Sequence, residues 1–191
     1  MRRVGVAAVA LAVLAMACGA EPEVIDVADL PDDEAPAERG SVNVHDADPP
    51  DEVPPPDARL ASGGWPEAAA FIARESEAGN PTLVNIFASW CTPCRAEMPM
   101  LVEAAEANAD VTFLGIDHID RLEDGEAFVD EFAVTFATIH DLEGDVAFHV
   151  GSRGMPTTVV FDADGELAGR VIGELTASSL DGLLEAGRAG A

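Results

Sequence analysis

The stretch TLVNIFASWCTPC, residues 82–94, decides the fold of this chain. Its first seven residues, ending at Ala88, form an apolar run that predicts a buried strand. Cys91 and Cys94 follow directly, and Pro93 suits the first turn of a helix because an N–H group at that position has no partner in any case. The pattern therefore predicts a strand that delivers two cysteines to a helix N-terminus, where unpaired N–H groups stabilise a thiolate.

Two cysteines at this spacing can alternate between a dithiol and a disulfide. Cys91 is the predicted attacking thiolate, partly exposed at the helix end, and Cys94 is the predicted resolving cysteine, one turn further on. A structural disulfide and a zinc site are the alternatives. The first closes too small a ring to constrain the unfolded chain, and the second lacks a further ligand pair. We therefore expect a redox-active disulfide between Cys91 and Cys94, with no metal and no cofactor.

Residues 1–18 indicate export. Two arginines precede an uncharged stretch that ends at Ala17, which is short for a membrane span but suits a signal-peptide core. The sequence LAMAC at residues 14–18 resembles a bacterial lipobox, in which Cys18 is lipidated and becomes the mature N-terminus. An odd cysteine in an exported chain favours this interpretation. The alternatives are an ordinary cleavage site after Ala17, which would release a soluble secreted protein, and a transmembrane anchor.

Residues 19–60 predict a disordered acidic tether. They are rich in Asp, Glu and Pro and show no apolar periodicity, so they cannot bury enough apolar surface to offset the entropy of ordering. Such a tether would hold a domain away from a membrane surface. The net charge of −26 excludes nucleic acid as a partner, since phosphate binding needs clustered Lys and Arg. Residues 61–191 suffice for one domain with a core.

The domain of residues 61–191 shows a regular order of predicted elements. Apolar patterning predicts helices over residues 66–77, 92–107, 124–132 and 177–188, a short helical piece up to residue 150, and strands over residues 82–88, 111–117, 135–140, 157–161 and 166–172. DADG at residues 162–165 predicts a hairpin turn between the last two strands. This order predicts an α/β fold with a central mixed sheet flanked by helices.

Several motifs together resemble the thioredoxin superfamily. WCTPC at residues 90–94 is paired with GMPTT at residues 154–158, a proline motif about sixty residues later. Asn85, EMP at residues 97–99 and an α-β insertion at residues 120–142 resemble the TlpA/ResA branch of membrane-tethered thiol-disulfide oxidoreductases. The resemblance implies a thioredoxin-like fold with the insertion after the first βαβ unit.

Glu97 is a predicted catalytic residue. It lies three positions beyond Cys94, so a helix places its carboxyl group beneath the dithiol. Burial there would raise its pKa and allow it to relay a proton for Cys94. The resemblance implies that Asn85 supports this role. The alternative is an exposed helical glutamate, since Glu is mostly a surface residue.

The resemblance also implies a substrate-binding edge. We expect Pro156 to be a cis proline lying against the dithiol, which leaves the main chain of Met155 free to pair with an extended substrate. Trp90 is predicted to join this docking surface, and Thr92 and Pro93 to contact substrate and tune the loop. The alternatives are an ordinary turn proline at position 156 and a core role for Trp90.

The histidines of the domain offer no clear site. His118 follows a predicted parallel strand and is interpreted as a solvated loop residue. His140 and His149 are predicted at turns, without a spacing that suggests metal binding.

Together these features predict an extracytoplasmic, lipid-anchored thiol-disulfide oxidoreductase. The resemblance implies that it reduces disulfides in exported proteins, with apocytochrome c as one candidate, and that a membrane thiol carrier supplies its electrons. Two alternatives remain. The same chemistry can run as an oxidase that introduces disulfides, or the chain can be a redox-regulated binding lipoprotein.

Overall fold

The structure is a computed structural model that describes residues 42–190. In these residues a mixed sheet lies between two layers of helices. After a short 3-10 turn, the elements are β1 (Ala61–Ser62), α1 (Trp65–Glu77), β2 (Thr82–Phe87), α2 (Thr92–Ala107), β3 (Thr112–His118), α3 (Leu122–Glu131), β4 (Ala137–Asp141), α4 (Asp145–His149), β5 (Thr157–Phe161), β6 (Leu167–Ile172) and α5 (Ala177–Ala189).

The strand order of the sheet is β1-β4-β3-β2-β5-β6. The pairs β1/β4, β4/β3 and β3/β2 are parallel, whereas β2/β5 and β5/β6 are antiparallel. Strand β2 lies between β3 and β5, and each of its residues is buried. A strand covered on both faces needs apolar residues throughout, which explains the uninterrupted run that precedes the cysteines.

Two apolar clusters fill the space on the two faces of the sheet. Side chains alternate along β2, so Leu83 and Phe87 join the cluster that contains residues of α2, α3 and α5. Val84 and Ile86 join the cluster that contains residues of α1 and α4. Helix α2 is therefore fixed against one face of the central strand that leads into it.

The predicted fold class is confirmed. The predicted helices and strands are all present with bounds shifted by a few residues, and the insertion supplies α3 and β4. Strand β4 pairs with β3, and the two-residue strand β1, which the sequence pattern does not reveal, pairs with β4. Within residues 42–190 no helix combines the length and the apolar character that a membrane span requires.

The predicted tether differs from the structure in its second half. Residues 42–60 run along the folded domain, with Val44 only 2% exposed in the α1-side cluster. The Leu60 N–H donates to the hydroxyl of Thr138 at 2.8 Å. Acidic and proline-rich composition conceals these few apolar residues, which are enough to hold the segment against the domain. Residues 19–41 and the predicted signal segment 1–18 lie outside the described residues.

Gly165 explains how this segment meets the β5–β6 hairpin. Its φ of +75° belongs to the left-handed region that favours glycine, as the predicted hairpin turn requires. A Cβ atom at this position would lie 2.7 Å from Cγ2 of Val44. The Gly165 carbonyl accepts a hydrogen bond from Val44 N–H at 3.1 Å, so the turn and the N-terminal segment fit closely.

Candidate active site

The two cysteines lie where β2 passes into α2. Cys91 is the N-cap of α2, and the N–H of Cys94 donates to Sγ of Cys91 at 3.3 Å. Pro93 falls in the first turn of the helix, as predicted. Cys91 and Cys94 are joined in a disulfide. The strand-turn-helix junction thus places a redox-capable pair at the positive end of a helix dipole.

The exposure of the disulfide differs from the prediction. Cys91 is only 4% exposed and Cys94 is fully buried, whereas we predict partial exposure for Cys91. Both belong to the apolar cluster of α2, α3 and α5, which covers the sulfur atoms. Thr92 and Pro93, between the cysteines, are exposed, and Trp90 is 59% exposed. In the disulfide form the surface at this site consists of the residues around the cysteines.

Glu97 is buried beneath the start of α2. Its carboxyl group is held on both oxygens: Oε1 accepts from the amide of Asn85 at 2.8 Å, and Oε2 accepts from Leu175 N–H at 2.7 Å. Glu97 is 2% exposed, so the alternative of an exposed helical glutamate is wrong. The carboxyl group therefore connects α2 with the central strand and with the segment that leads into α5.

The environment of Glu97 raises its pKa from the ordinary value of 4.5 to about 7. Burial is the main cause, because it penalises the charged form. The hydrogen bonds from Leu175 and Asn85 favour the charged form and lower the pKa, and the charge of Glu174 raises it. A carboxyl group with a pKa near 7 can both give and accept a proton at neutral pH.

Asn85 joins the same network from the middle of β2. It is buried, and its amide nitrogen donates to Glu97 and to the hydroxyl of Thr158 on β5 at 2.9 Å. Its Oδ1 has no hydrogen-bond partner among the described residues. Asn85 therefore links the carboxyl group of Glu97 to the central strand and to β5.

The predicted substrate edge lies at the start of β5. The Met155–Pro156 peptide bond is cis, as expected. Pro156 is buried, and Met155 is half-buried and packs against both apolar clusters, including the one that contains the cysteines. Met155 therefore packs between the two apolar clusters, one of which contains the cysteines.

Several residues of the site are absent from the predicted set. Leu175 contributes a main-chain N–H, which no side-chain motif reveals. Asp120 accepts from Ser89 N–H at 2.6 Å, beside the disulfide. His140, predicted at a turn, lies inside β4 and bonds through Nδ1 to Asp117 at 2.7 Å. An Asp and a His separated by more than twenty residues become neighbours only through the pairing of β3 with β4.

His118 lies at the end of β3 and is half-buried. Burial lowers its pKa, while the charge of Asp141 raises it. The interpretation of His118 as a solvated loop residue is therefore wrong. Within residues 42–190 no three His, Cys, Asp or Glu side chains converge on a position suited to a metal ion.

The fold and the disulfide define a thioredoxin-like protein with a CxxC pair at the start of a helix. The model of the AhpC/TSA family matches residues 65–170, more than half of the chain. The chain therefore belongs to the AhpC/TSA family. The predicted resemblance to ResA-like members of the thioredoxin superfamily is confirmed by the relatives.

Curated relatives include thiol-disulfide proteins from several bacteria. The chain is 34% identical over 110 residues to the thiol-disulfide oxidoreductase ResA of Oceanobacillus iheyensis, which covers 56% of each chain. It is 36% identical over 110 residues to the thiol:disulfide interchange protein CycY of Rhizobium leguminosarum, covering 56% of this chain and 59% of CycY. The chain thus spans a little over half the length of these relatives.

Solved structures show the same fold. A DsbF homologue from Corynebacterium diphtheriae is 28% identical, with a TM-score of 0.52, and the match covers 56% of this chain and 71% of that one. A secreted disulfide oxidoreductase of Mycobacterium tuberculosis is 27% identical, with a TM-score of 0.51, covering 56% of this chain and 82% of that one. The fold is therefore shared with a DsbF homologue and with a secreted disulfide oxidoreductase.

The raised pKa of Glu97 predicts a specific pH dependence of stability. Between pH 4.5 and about 7 the folded protein binds the Glu97 proton more tightly than the unfolded chain does. This contribution is complete below pH 4.5 and is lost as the pH rises through 7, by roughly 3 kcal/mol. Glu97→Gln stays neutral, so its free energy of unfolding relative to the wild type should rise by that amount over this range. Urea unfolding of the disulfide form from pH 4.5 to 8 measures this difference.

Glu103→Gln is the matched control, because Glu103 is an exposed glutamate on the same helix. Its stability should follow that of the wild type at every pH. Parallel curves for the wild type and Glu97→Gln would show that Glu97 titrates like an exposed acid.

Proposed function

We propose that the chain is a thiol-disulfide oxidoreductase that acts outside the cytoplasm and reduces disulfides in exported proteins. The observation that carries this proposal is the Cys91–Cys94 disulfide at the start of α2, with the buried carboxyl group of Glu97 one turn further along the same helix. The likeness to proteins named for thiol-disulfide exchange supports it.

The first step is the attack of the reduced protein on a substrate disulfide. The Cys91 thiolate forms a bond to one substrate sulfur, the substrate S–S bond breaks, and the other substrate sulfur leaves as a thiolate that takes a proton. The Cys94 N–H, which contacts Sγ of Cys91 at 3.3 Å, stabilises the thiolate before the attack.

In the second step Cys94 resolves the mixed disulfide. Cys94 loses its proton, its sulfur bonds to Cys91, and the second substrate sulfur leaves and is protonated. The substrate has gained two electrons and two protons, and the protein has become the disulfide. Glu97 accepts the Cys94 proton, since a pKa of about 7 matches this role at neutral pH.

The substrate approaches the face that carries Trp90, Thr92 and Pro93. These side chains are exposed around the covered disulfide, and Met155 with the cis Pro156 forms the neighbouring edge, where an extended substrate pairs with the main chain. These residues form the exposed surface around the cysteines, so they are the proposed recognition surface.

The location is part of the proposal. Export through residues 1–18 and lipidation of Cys18 would hold the domain at the outer face of the cell membrane, where a membrane thiol carrier returns it to the dithiol. Apocytochrome c, which must keep its cysteines reduced for haem attachment, is one candidate substrate.

Serine variants test the exchange reaction. All are made in a Cys18→Ser background, so that the third cysteine cannot react. The reduced Cys94→Ser variant, mixed with a peptide that contains one disulfide, should accumulate a mixed disulfide, since no resolving thiol is present. The variant with both active-site cysteines should release reduced peptide, and Cys91→Ser should do neither. Intact mass spectrometry measures each product, and a Cys91→Ser variant that reacts like the parent would refute the assignment.

The direction of electron flow is tested by the reduction potential. A reductase is expected to lie nearer thioredoxin, at about −270 mV, than the oxidant DsbA, at about −120 mV. The protein is equilibrated with mixtures of reduced and oxidised dithiothreitol. The fraction of disulfide, measured as the loss of Cys91 alkylation, gives the reduction potential. A potential close to that of DsbA would favour the disulfide-introducing oxidase instead.

Membrane attachment is tested separately in the native host. The wild type should incorporate labelled fatty acid and sediment with membranes, and Cys18→Ser should do neither. Cys94→Ser, which removes a cysteine of the domain, is the control and should be labelled like the wild type. A wild type found soluble and unlabelled would favour ordinary cleavage after Ala17.

A further inference from the structure

The loop that follows β3 is bonded to the residues that lead into the disulfide. Oδ2 of Asp120 accepts a hydrogen bond from Ser89 N–H at 2.6 Å. The indole N–H of Trp90 donates to the carbonyl of Ile119 across a longer distance of 3.4 Å. Ser89 and Trp90 directly precede Cys91, so this loop holds the entrance to the CxxC turn from the side.

Asp120 is itself held in one orientation. It is 6% exposed, and its Oδ1 accepts from Arg121 N–H at 2.8 Å, so both carboxyl oxygens are used. The residue before it, Ile119, has a φ of +46°, a conformation that β-branched residues rarely adopt. Such strain persists where the surroundings impose it, and here the contacts on both sides of the loop do so.

A second buried acid lies behind this loop. Asp117 is fully buried, and its Oδ2 lies 2.7 Å from Nδ1 of His140. A Cβ atom on Gly125 would lie 2.2 Å from Oδ2 of Asp117, so α3 approaches the carboxyl group too closely for any other residue. This packing leaves the acid in a site with little water.

The groups that face Asp117 determine how it titrates. Burial raises the pKa of Asp117 to about 6, the hydrogen bond and charge of His140 lower it, and the charge of Asp120 and a side-chain hydrogen bond with Asp120 raise it. These two groups come from β4 and from the loop after β3, whereas α3 contributes its main chain at Gly125. Asp117 and Asp120 therefore influence each other electrostatically.

We propose that Asp120 is a positioning residue for thiol-disulfide exchange and that the buried carboxyl group of Asp117, bonded to His140 behind the loop, supports it separately from Glu97. This inference rests on the proposed function. Asp120 acts through Ser89 and Trp90, and fixes the direction from which the chain enters α2 at Cys91. When Asp117 loses its proton, a second negative charge adjoins Asp120 in a water-poor site, and the loop contacts weaken.

Two substitutions at position 120 test the positioning role. The readout is the rate constant for exchange between the reduced protein, in the Cys18→Ser background, and a small aromatic disulfide at pH 7. Asp120→Ala removes the acceptor for Ser89 N–H and should lower this constant about tenfold. Asp120→Asn keeps a side-chain oxygen for that N–H and should stay within about threefold of the parent. Glu123→Ala, which removes an exposed acid three residues later, is the control and should leave the rate unchanged.

The unfolding midpoint of each variant separates positioning from stability. A lower midpoint with an unchanged rate constant for Asp120→Ala would mean that Asp120 is structural only, and would overturn the inference. Equal losses in the Ala and Asn variants would also overturn it, since the oxygen would then have no positioning effect. Absence of exchange in the parent protein itself would refute the proposed function, and the next measurement would still test the effect of Asp117 on the loop.

The effect of Asp117 on the loop is tested through the indole signal of Trp90. The chain has two tryptophans, so Trp90→Phe assigns the indole N–H signals in a ¹H–¹⁵N NMR spectrum. The Trp90 signal should show an inflection near pH 6 that is retained in Glu97→Gln and lost in Asp117→Asn. His140→Gln removes a partner that lowers the pKa of Asp117, so it should move the inflection to higher pH. A flat titration, or an inflection that survives Asp117→Asn and does not move in His140→Gln, would overturn the proposal.

Discussion

The buried carboxyl group of Glu97 is the constraint on which the site depends. It is carried by α2, receives hydrogen bonds from Asn85 on the central strand and from Leu175 before α5, and lies one turn below the disulfide. An acid removed from water costs free energy unless it is bonded or neutral, and here it is both bonded and easily neutralised. The same packing that fixes α2 against the sheet thus gives the acid its pKa of about 7.

Much of this arrangement follows from local sequence. An apolar run predicts β2, a proline after a cysteine predicts the helix start, and i, i+3 spacing places Glu97 under Cys94, because these are relations between residues near in the chain. Hydrogen-bond partners on distant elements cannot be predicted in this way. Leu175 offers only its main chain, and Asp117 meets His140 through strand pairing, so neither leaves a signal in the pattern of residue types.

The composition of the acidic segment up to residue 60 is a good guide to its charge but a poor guide to whether it is structured. The acidic, proline-rich segment up to residue 60 has the composition of a disordered chain, yet residues 42–60 contain Val44, Ala58 and Leu60, which are buried. Isolated apolar residues can pack against a preformed surface when hydrogen-bonding groups are available beside them. This occurs at the β5–β6 hairpin and at β4. The average composition of a segment does not reveal such packing, because the surface that the segment packs against is formed elsewhere in the chain.

The strand order explains how one CxxC turn can be influenced by two buried acids at once. Strand β2 lies between β3 and β5, so the helix that follows it has neighbours on both sides. Towards β5, Asn85 bonds both to Glu97 on the helix and to the hydroxyl of Thr158. Towards β3 and β4, Asp117 and His140 act through Asp120 on the residues before Cys91. In the proposed mechanism, a proton taken by Glu97 affects the thiols through Cys94, whereas a proton taken by Asp117 affects the direction of approach to Cys91. The two effects therefore differ in the measurement that detects them, even where their pH ranges overlap.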